Sequence, residues 1–144
     1  MRPLDILSDT AHILLYGTLR SGLTHFRRFN LPFALSFVRS EEVRGTLYDL
    51  GDYPGLVLDA AAGAVQAELF RIRDPKVLPV LDDYEAYNPG DLGPFDERTG
   101  RGSMFIRTRV TLDDGIGAWI YELNGVPDGA GVIAHGDWLR HTGR

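Results

Sequence analysis

The sequence predicts an α+β fold, with a small, mixed, barrel-like β-sheet and a few short helices. Short apolar or alternating segments, which are typical of strands, outnumber the helical segments, and most connections between them have hairpin length. With 144 residues, the chain also has the usual length of one domain. We therefore expect residues 1–144 to form a single domain.

Strand patterns are clearest in the first half of the chain. Residues 12–16 are a short apolar run that Gly17 ends, as expected for a buried strand. Residues 41–50 alternate around Gly45, which predicts a strand with a close backbone approach or a bulge at that glycine. Two more strands are predicted at residues 56–59 and 64–72, after turns at 51–55 and 60–63.

One helix follows these strands. Asp74 precedes Pro75, and this order is typical of an N-cap residue and the first residue of a helix. Because Pro79 cannot donate to the preceding turn, we expect a turn at residues 75–78 and then a short helix at 79–85. The helix is expected to carry Val80, Leu81 and Tyr84 on its inward face.

The rest of the chain gives weaker signals. Residues 24–29 are too few to decide between one helical turn and two. Residues 88–102 hold six Gly or Pro and predict an exposed loop. The remaining predictions are strands at 104–112 and 118–123, a hairpin turn at 113–115, and a last strand or short helix at 132–141.

The composition excludes several kinds of chemistry. Fourteen of the 15 basic residues are arginine, so only Lys76 could form a Schiff base, and no P-loop motif surrounds it. The chain has no cysteine, which excludes disulfides, thiol nucleophiles and cysteine-bound metals. The 15 basic and 20 acidic residues give a formal net charge of −5, which argues against a broad nucleic-acid surface.

Neither a membrane nor a metal is indicated. No apolar run reaches the ~18 residues of a membrane span, and residues 1–10 lack the pattern of a signal peptide, so we expect a cytoplasmic protein. The four histidines show no helical pairing typical of a metal site. Ser103 is not in a nucleophile-elbow motif, and no glycine-rich dinucleotide fingerprint is present. We therefore expect no metal and no dinucleotide cofactor.

Two features remain: a glycine turn at residues 16–20 and the acid Glu85 at the end of the predicted helix. Each alone fits an ordinary interpretation, a tight turn with Arg20 in solvent and one surface acid among 20. They are, however, part of an ordered series of motifs. The series is YGTLR at 16–20, GTLYDLG at 45–51, YPGL at 53–56, ELF at 68–70, LDDYE at 81–85, Arg107, AWIY at 118–121 and GDW at 136–138.

From about residue 13 to 138, this series resembles the gamma-glutamylcyclotransferase-like family, which includes plant avirulence-induced-type proteins and the butirosin-pathway cyclotransferase. The resemblance implies a cofactor-independent acyl transfer in which the α-amine of a γ-glutamyl amine or amino acid attacks its own γ-carbonyl and 5-oxoproline is released. Glu85 matches the family's catalytic carboxylate, the general acid/base. The implied substrate-binding residues are Tyr16, Gly17, Thr18, Leu19, Tyr53 and Tyr121.

The chain departs from the family pattern at several positions. Ala86 replaces the glycine that usually follows the motif glutamate. The 88–102 loop is long, so the sequence does not identify the leaving group of the substrate or show whether the loop gates the site. Tyr121 could equally be a core tyrosine. Arg107 could pair with a carboxylate, although an exposed strand arginine is the more ordinary interpretation. A monomer and a homodimer are both compatible with the sequence. The alternative to an enzyme is a non-catalytic small-molecule-binding or interaction module on the same fold.

Overall fold

The computed structural model describes residues 10–20 and 23–143. The expectation about a signal peptide concerns positions that, apart from Thr10, lie outside the described residues. The described elements, in chain order, are β1 (His12–Leu15), α1 (Thr24–Arg28), α2 (Leu31–Ala34), β2 (Leu35–Asp49), β3 (Pro54–Leu58), β4 (Ala64–Ile72), α3 (Val77–Tyr84), β5 (Phe105–Thr111), β6 (Gly117–Leu123), β7 (Gly131–Val132) and α4 (Trp138–Thr142).

The strands form one mixed sheet in the order β3-β2-β4-β1-β6-β5, and β7 pairs with β2. β1 runs parallel to β6, and the other described pairings are antiparallel. The sheet curls, so that β3 also packs against β6, where the Leu58 N–H donates to the Glu122 carboxylate at 2.9 Å. The predicted α+β fold with a barrel-like sheet and a few short helices is confirmed.

Both faces of the sheet are buried. Ile13 and Leu15 of β1 belong to an apolar cluster that also contains residues of α1, α2 and α3. Leu14 and Tyr16 point the other way, into a second cluster that Trp138 of α4 completes. A strand that is buried on both faces has an unbroken apolar sequence, which explains the short apolar run of β1.

β2 is longer than predicted. It begins at Leu35 rather than at residue 41, and its first residues pair with β4. Phe37 and Val38 are exposed, so the alternation that marks a strand is broken in this part of the sequence. The register of the pairing shifts between Phe37 and Arg39, which is where the irregularity of the strand lies.

Gly45 stays in register opposite Leu58 of β3. A Cβ atom at this position would lie 2.6 Å from the carbonyl oxygen of Val57, which is closer than real Cβ atoms come. The predicted close backbone approach at Gly45 is therefore confirmed, and the predicted bulge there is wrong. β3 itself begins at Pro54, inside the segment predicted to be a turn.

α3 begins at Val77, not at the predicted residue 79. Pro79 lies in the first turn, where a backbone N–H has no partner inside the helix, so the proline does not break it. Val77 and Leu81, four residues apart, form the buried face. Val80 is 45% exposed, and the prediction that it faces inward is wrong because it lies about 100° around the helix from Leu81, to the side of the buried face.

The other predictions hold in outline. Residues 24–29 contain the short helix α1, and Asn30, in the left-handed conformation, links it to α2, which the sequence did not predict. The predicted β5–β6 hairpin is confirmed. Residues 88–102 form an irregular loop, and the tail contains both a strand, β7, and a helix, α4.

Candidate active site

The residues predicted to bind or transform a substrate meet at one cavity. It lies beyond the end of β1 and has a volume of about 300 Å³, which suits a small molecule. Its lining includes Glu85, Tyr16, Gly17, Thr18, Leu19, Tyr53 and Tyr121, and the other lining residues are largely apolar. The structure thus brings all seven predicted site residues together, while their roles remain predictions.

The chain turns sharply as it leaves β1. The Arg20 N–H donates to the Gly17 carbonyl oxygen at 3.1 Å, which closes the turn. The backbone N–H groups of residues 17, 18 and 19 donate to no acceptor in the described part of the chain. A Cβ on Gly17 would lie 2.8 Å from Cγ of Pro54, so the approach of these two segments requires glycine.

Glu85 lies at the C-terminal end of α3, where its backbone N–H still donates to the Leu81 carbonyl oxygen at 2.9 Å. Its carboxyl lines the cavity and makes no hydrogen bond or ion pair with the described residues. Burial, together with the negative charge of Asp82, raises the pKa of the Glu85 carboxyl to about 8. A carboxyl with this pKa can give or take a proton near neutral pH.

Asp82 lies one helical turn before Glu85 and binds two side chains of the sheet. The Tyr121 hydroxyl of β6 donates to Asp82 Oδ1 at 2.6 Å. Arg107 of β5 donates to the same oxygen from Nε at 2.9 Å, and from Nη2 to Oδ2 at 3.3 Å. The Arg107 guanidinium in turn lies 4.4 Å from the ring centroid of Trp119.

Tyr16 is buried, and its hydroxyl is already engaged. It donates to the Tyr121 carbonyl oxygen at 2.6 Å and accepts from the Leu56 N–H at 3.1 Å. Burial holds the pKa of the Tyr16 hydroxyl well above its usual range. This hydroxyl therefore ties β1, β3 and β6 together beside the cavity.

The remaining polar groups of the cavity pair with one another. The Thr18 hydroxyl lies 2.9 Å from the Tyr84 hydroxyl, and the Tyr53 hydroxyl donates to Met104 Sδ at 3.1 Å. Tyr53 and Met104 also line a second cavity, which the 88–102 loop and residues 123–130 enclose. A ligand in the first cavity thus has a neighbouring space on the side of Tyr53.

Two arginines lie elsewhere than the sequence suggested. Arg20 is buried and forms an ion pair with Asp137 at 2.9 Å, so its expected place in solvent is wrong. Arg107 is also mostly covered, with 19% of its side chain exposed, so the ordinary interpretation as an exposed arginine is wrong and the alternative, a pair with a carboxylate, is the one observed, with Asp82. The three-residue spacing of Asp82 and Glu85 was a signal that both share a helix face, whereas the partner of Arg107 is 25 residues away.

Neither a membrane span nor a metal cluster is found among residues 10–20 and 23–143. None of the described helices combines the length and the apolar character that crossing a bilayer requires. Nor do three or more histidine or carboxylate side chains of these residues gather where they could hold a metal ion.

The curled α+β sheet thus holds a small, largely apolar cavity of the kind that binds small molecules, with a carboxyl that has no partner among the described residues. The chain belongs to the gamma-glutamyl cyclotransferase, AIG2-like family, whose model matches residues 13–140. This confirms the resemblance of the sequence motifs and supports a cyclotransferase activity in general terms.

Individual relatives agree with this assignment. BH1612 of Halalkalibacterium halodurans, which is named provisionally as a gamma-glutamylcyclotransferase, is 34% identical over 104 residues, covering 69% of this chain and 83% of that protein. The protein YtfP of Escherichia coli has a TM-score of 0.61 at 27% identity, over 91% of this chain and 98% of that chain. An AIG2-like protein of Mus musculus has a TM-score of 0.63 at 22% identity, over 89% and 87% of the two chains, and shows the shared fold.

Proposed function

We propose that this protein is a cyclotransferase that converts a γ-glutamyl amine or γ-glutamyl amino acid into 5-oxoproline and the free amine. The observation that carries the proposal is Glu85, a carboxyl without a partner in the cavity, whose pKa is raised to about 8. A pure binding module has no evident need for such a group. Family membership supports the same reaction class.

The first step deprotonates the substrate. The α-amino group enters as an ammonium, and the ionised Glu85 carboxylate takes one of its protons. A base works best when its pKa is close to the working pH, and Glu85 meets this condition where an exposed glutamate would not.

The second step forms the ring. The α-nitrogen lone pair attacks the γ-carbonyl carbon, and the carbonyl π electrons move to the oxygen. Because both reacting groups belong to one molecule, holding them in the reactive geometry can supply an effective molarity of ~10⁵–10⁸ M. The apolar cavity of about 300 Å³ suits this task of positioning.

The backbone N–H groups of residues 17–19 have no acceptor among the described residues, and these residues line the cavity, which supports a role for them in binding negative charge. Amide groups that converge at a turn can bind a carboxylate or a developing oxyanion. We assign them to the α-carboxylate or to the oxyanion of the tetrahedral intermediate. The close packing of Gly17 on Pro54 keeps a side chain out of this place.

The last step releases the amine. After the attack, the ring nitrogen carries two hydrogens and a positive charge, and it loses one of these protons to solvent. Glu85, protonated in the first step, gives its proton to the leaving nitrogen, the oxyanion reforms the carbonyl, and the bond from the carbonyl carbon to the leaving nitrogen breaks. The proton taken in the first step is thereby returned, and the enzyme ends in its starting state. The reaction as written consumes no oxidant, nucleotide or metal, so we assign it as a cofactor-independent acyl transfer.

The test is a substrate panel. The purified protein is incubated with γ-glutamyl amino acids, γ-glutamyl amines and glutathione, and 5-oxoproline is detected by mass spectrometry. We expect release from at least one compound and a loss of ~100-fold or more in the Glu85→Gln variant, because amide nitrogen cannot accept the proton. Equal turnover by Glu85→Gln would contradict the assignment of Glu85, and no release from any compound would favour the binding module.

A further inference from the structure

The pairing of Asp82 fixes the direction of one hydrogen bond at the cavity wall. A carboxylate that binds an arginine guanidinium through both oxygens can only accept hydrogen bonds. The Tyr121 hydroxyl, 2.6 Å from Asp82 Oδ1, must therefore donate its single proton to Asp82. Its oxygen lone pairs are left for an acceptor role toward the cavity that Tyr121 lines.

The arrangement is held firmly behind the cavity. The guanidinium carbon of Arg107 lies over the rings of Trp119 and Tyr87, at 4.4 Å and 6.0 Å from their centroids. The Asp82 and Arg107 side chains are only 15% and 19% exposed. Since both groups are largely covered and bound to each other, the Tyr121 hydroxyl has a fixed proton acceptor in Asp82.

The ionisable groups around Glu85 favour a ligand with a positive charge in the cavity. Within the described ranges, the ionisable groups that face it from the packed elements are Tyr16 (directly after β1), Tyr53 (β2–β3 turn), Asp82 and Tyr84 (α3), Arg107 behind Asp82 (β5) and Tyr121 (β6). The cavity itself is lined by no basic side chain. Among the described lining residues Glu85 is the acid, and Tyr121 is a phenol whose proton is held by the carboxylate of Asp82.

We propose, on the basis of the cyclotransferase function above, that the Tyr121 hydroxyl oxygen accepts a hydrogen bond from the α-ammonium group of the substrate, and that Asp82, clamped by Arg107, is the positioning residue that makes this oxygen an acceptor. The ammonium group would then lie between Tyr121 and Glu85. Tyr121 holds it by one N–H, and another N–H faces the base. The selectivity for a free α-amine, which cyclisation needs, would come from this pair.

The binding test uses two small probes in the Glu85→Gln background, in which turnover is blocked. The probes are γ-L-glutamylmethylamide and N-methylglutaramate, which differ only in the α-amino group. Because a hydrogen bond to a charged group contributes ~1.5–3 kcal/mol, the probe with the amine should bind about tenfold or more tightly. Adding Tyr121→Phe, which keeps the buried ring, should reduce this preference to about twofold or less.

Asp82→Asn should also reduce the preference, because its neutral amide no longer fixes the hydroxyl proton. Asp114→Asn is the matched control, since Asp114 pairs with Arg39 at 2.9 Å on the surface, and it should leave the preference unchanged. An unchanged preference in Tyr121→Phe would overturn the proposal, even if wild-type protein releases 5-oxoproline. If wild-type protein neither binds the amine probe nor releases 5-oxoproline, the proposed function fails first and the inference fails with it.

A pH profile separates positioning from simple structural support. Asp82 contributes negative charge next to Glu85, so Asp82→Asn should move the acid limb of kcat/KM to lower pH with the same substrate. A residue that only maintains the fold would lower kcat/KM at all pH values without moving the limb. A limb that stays in place would contradict the positioning role of Asp82.

Discussion

The cavity and the 88–102 loop beside it differ in how their polar groups are paired. The buried Ser103, directly after the loop, binds two loop residues through its hydroxyl. This hydroxyl accepts from the Asn88 N–H at 2.8 Å and donates to the Asp91 carbonyl oxygen at 2.8 Å. The Asn124 side-chain amide donates to three carbonyl oxygens of the same region. In the cavity, by contrast, the Glu85 carboxyl and the amides of residues 17–19 have no described partner.

This difference distinguishes groups that hold the fold from groups available to a ligand. A buried polar group without a partner costs free energy, so its presence in a native structure calls for an explanation. The polar groups of the loop satisfy one another, so a structural role accounts for them. The unpaired groups of the cavity are explained if a substrate satisfies them, and the following changes test that contrast.

The largest effect is expected from Glu85→Gln on stability. A carboxyl whose pKa rises from 4.5 to about 8 on folding stabilises the protein below pH 4.5, and this contribution is lost as the pH rises to about 8. At pH 7, Glu85→Gln should therefore be more stable than wild type, by up to ~3 kcal/mol. Urea unfolding at pH 7 and near pH 4.5 should show the advantage shrinking at the lower pH.

The exposed Glu97→Gln change is the control for this experiment, and we expect no pH-dependent gain from it. A clear loss of stability in Glu85→Gln at pH 7 would mean that the ionised Glu85 anchors the structure. Glu85 would then belong with the paired groups of the loop, and the contrast between the two regions would be lost.

A substitution that breaks the hydrogen bonds of the loop should lower stability and leave turnover nearly unchanged. Ser103→Ala leaves the Asn88 N–H and nearby carbonyl oxygens without their partner, and should cost ~2 kcal/mol in the free energy of unfolding. Turnover should stay within about twofold if the loop is structural. The same change at the exposed Ser40 should alter neither quantity. A large loss of turnover in a folded Ser103→Ala protein would show that the loop also controls the site.

Gly17→Val tests the turn that presents the free amides. A Cβ at this position would already collide with Pro54, so the turn must shift, and we expect kcat/KM to fall about tenfold or more. Gly63→Val is the matched control because a Cβ there meets no atom within 4 Å. Equal activity of the two variants would remove the amides of residues 17–19 from the proposed mechanism.

The smallest effect is expected at Ala86, which has a φ of 51° directly after Glu85. Alanine is strained in this left-handed region and glycine is not, so Ala86→Gly should stabilise the protein, by ~1 kcal/mol or less once the extra freedom of the unfolded chain is counted. Ala61→Gly, in an exposed turn without positive φ, should be slightly destabilising. Thermal melts of both variants test this prediction, and a lower melting temperature for Ala86→Gly than for wild type would contradict it.

The sequence predicted the parts of the fold that follow from local patterns. The β4 boundaries, the β5–β6 hairpin and the buried Leu81 followed from apolar periodicity and turn residues. The start of β2 could not be predicted in this way, since Phe37 is exposed and the alternation is broken. The start of α3 was predicted two residues late, because Pro79 lies in its first turn rather than before it. The exposure of Val80 depends on which face of the helix is buried, and a helix of eight residues gives too little apolar periodicity to fix that face.

The sequence predicted which residues form the candidate site, but not the hydrogen bonds and ion pairs between them. Glu85 and the residues 16–19 were found through motifs, and the structure places them at one cavity. The bonds of Asp82 to Arg107 and Tyr121 join residues 25 and 39 positions apart, and no local pattern encodes such contacts. The left-handed backbone at Ala86 could not be predicted from local sequence either. It explains why glycine is usual at this position in the family, because glycine adopts this conformation without strain.

The most direct test of the central claim is the titration of the Glu85 carboxyl itself. NMR of isotope-labelled glutamate side chains can follow this signal, and its absence in Glu85→Gln protein identifies it. Because burial and Asp82 disfavour the ionised form, we predict a midpoint at about pH 8. A midpoint near the ordinary value of 4.5 would contradict the account, since Glu85 would then be a solvated acid rather than a base poised to take the substrate's proton.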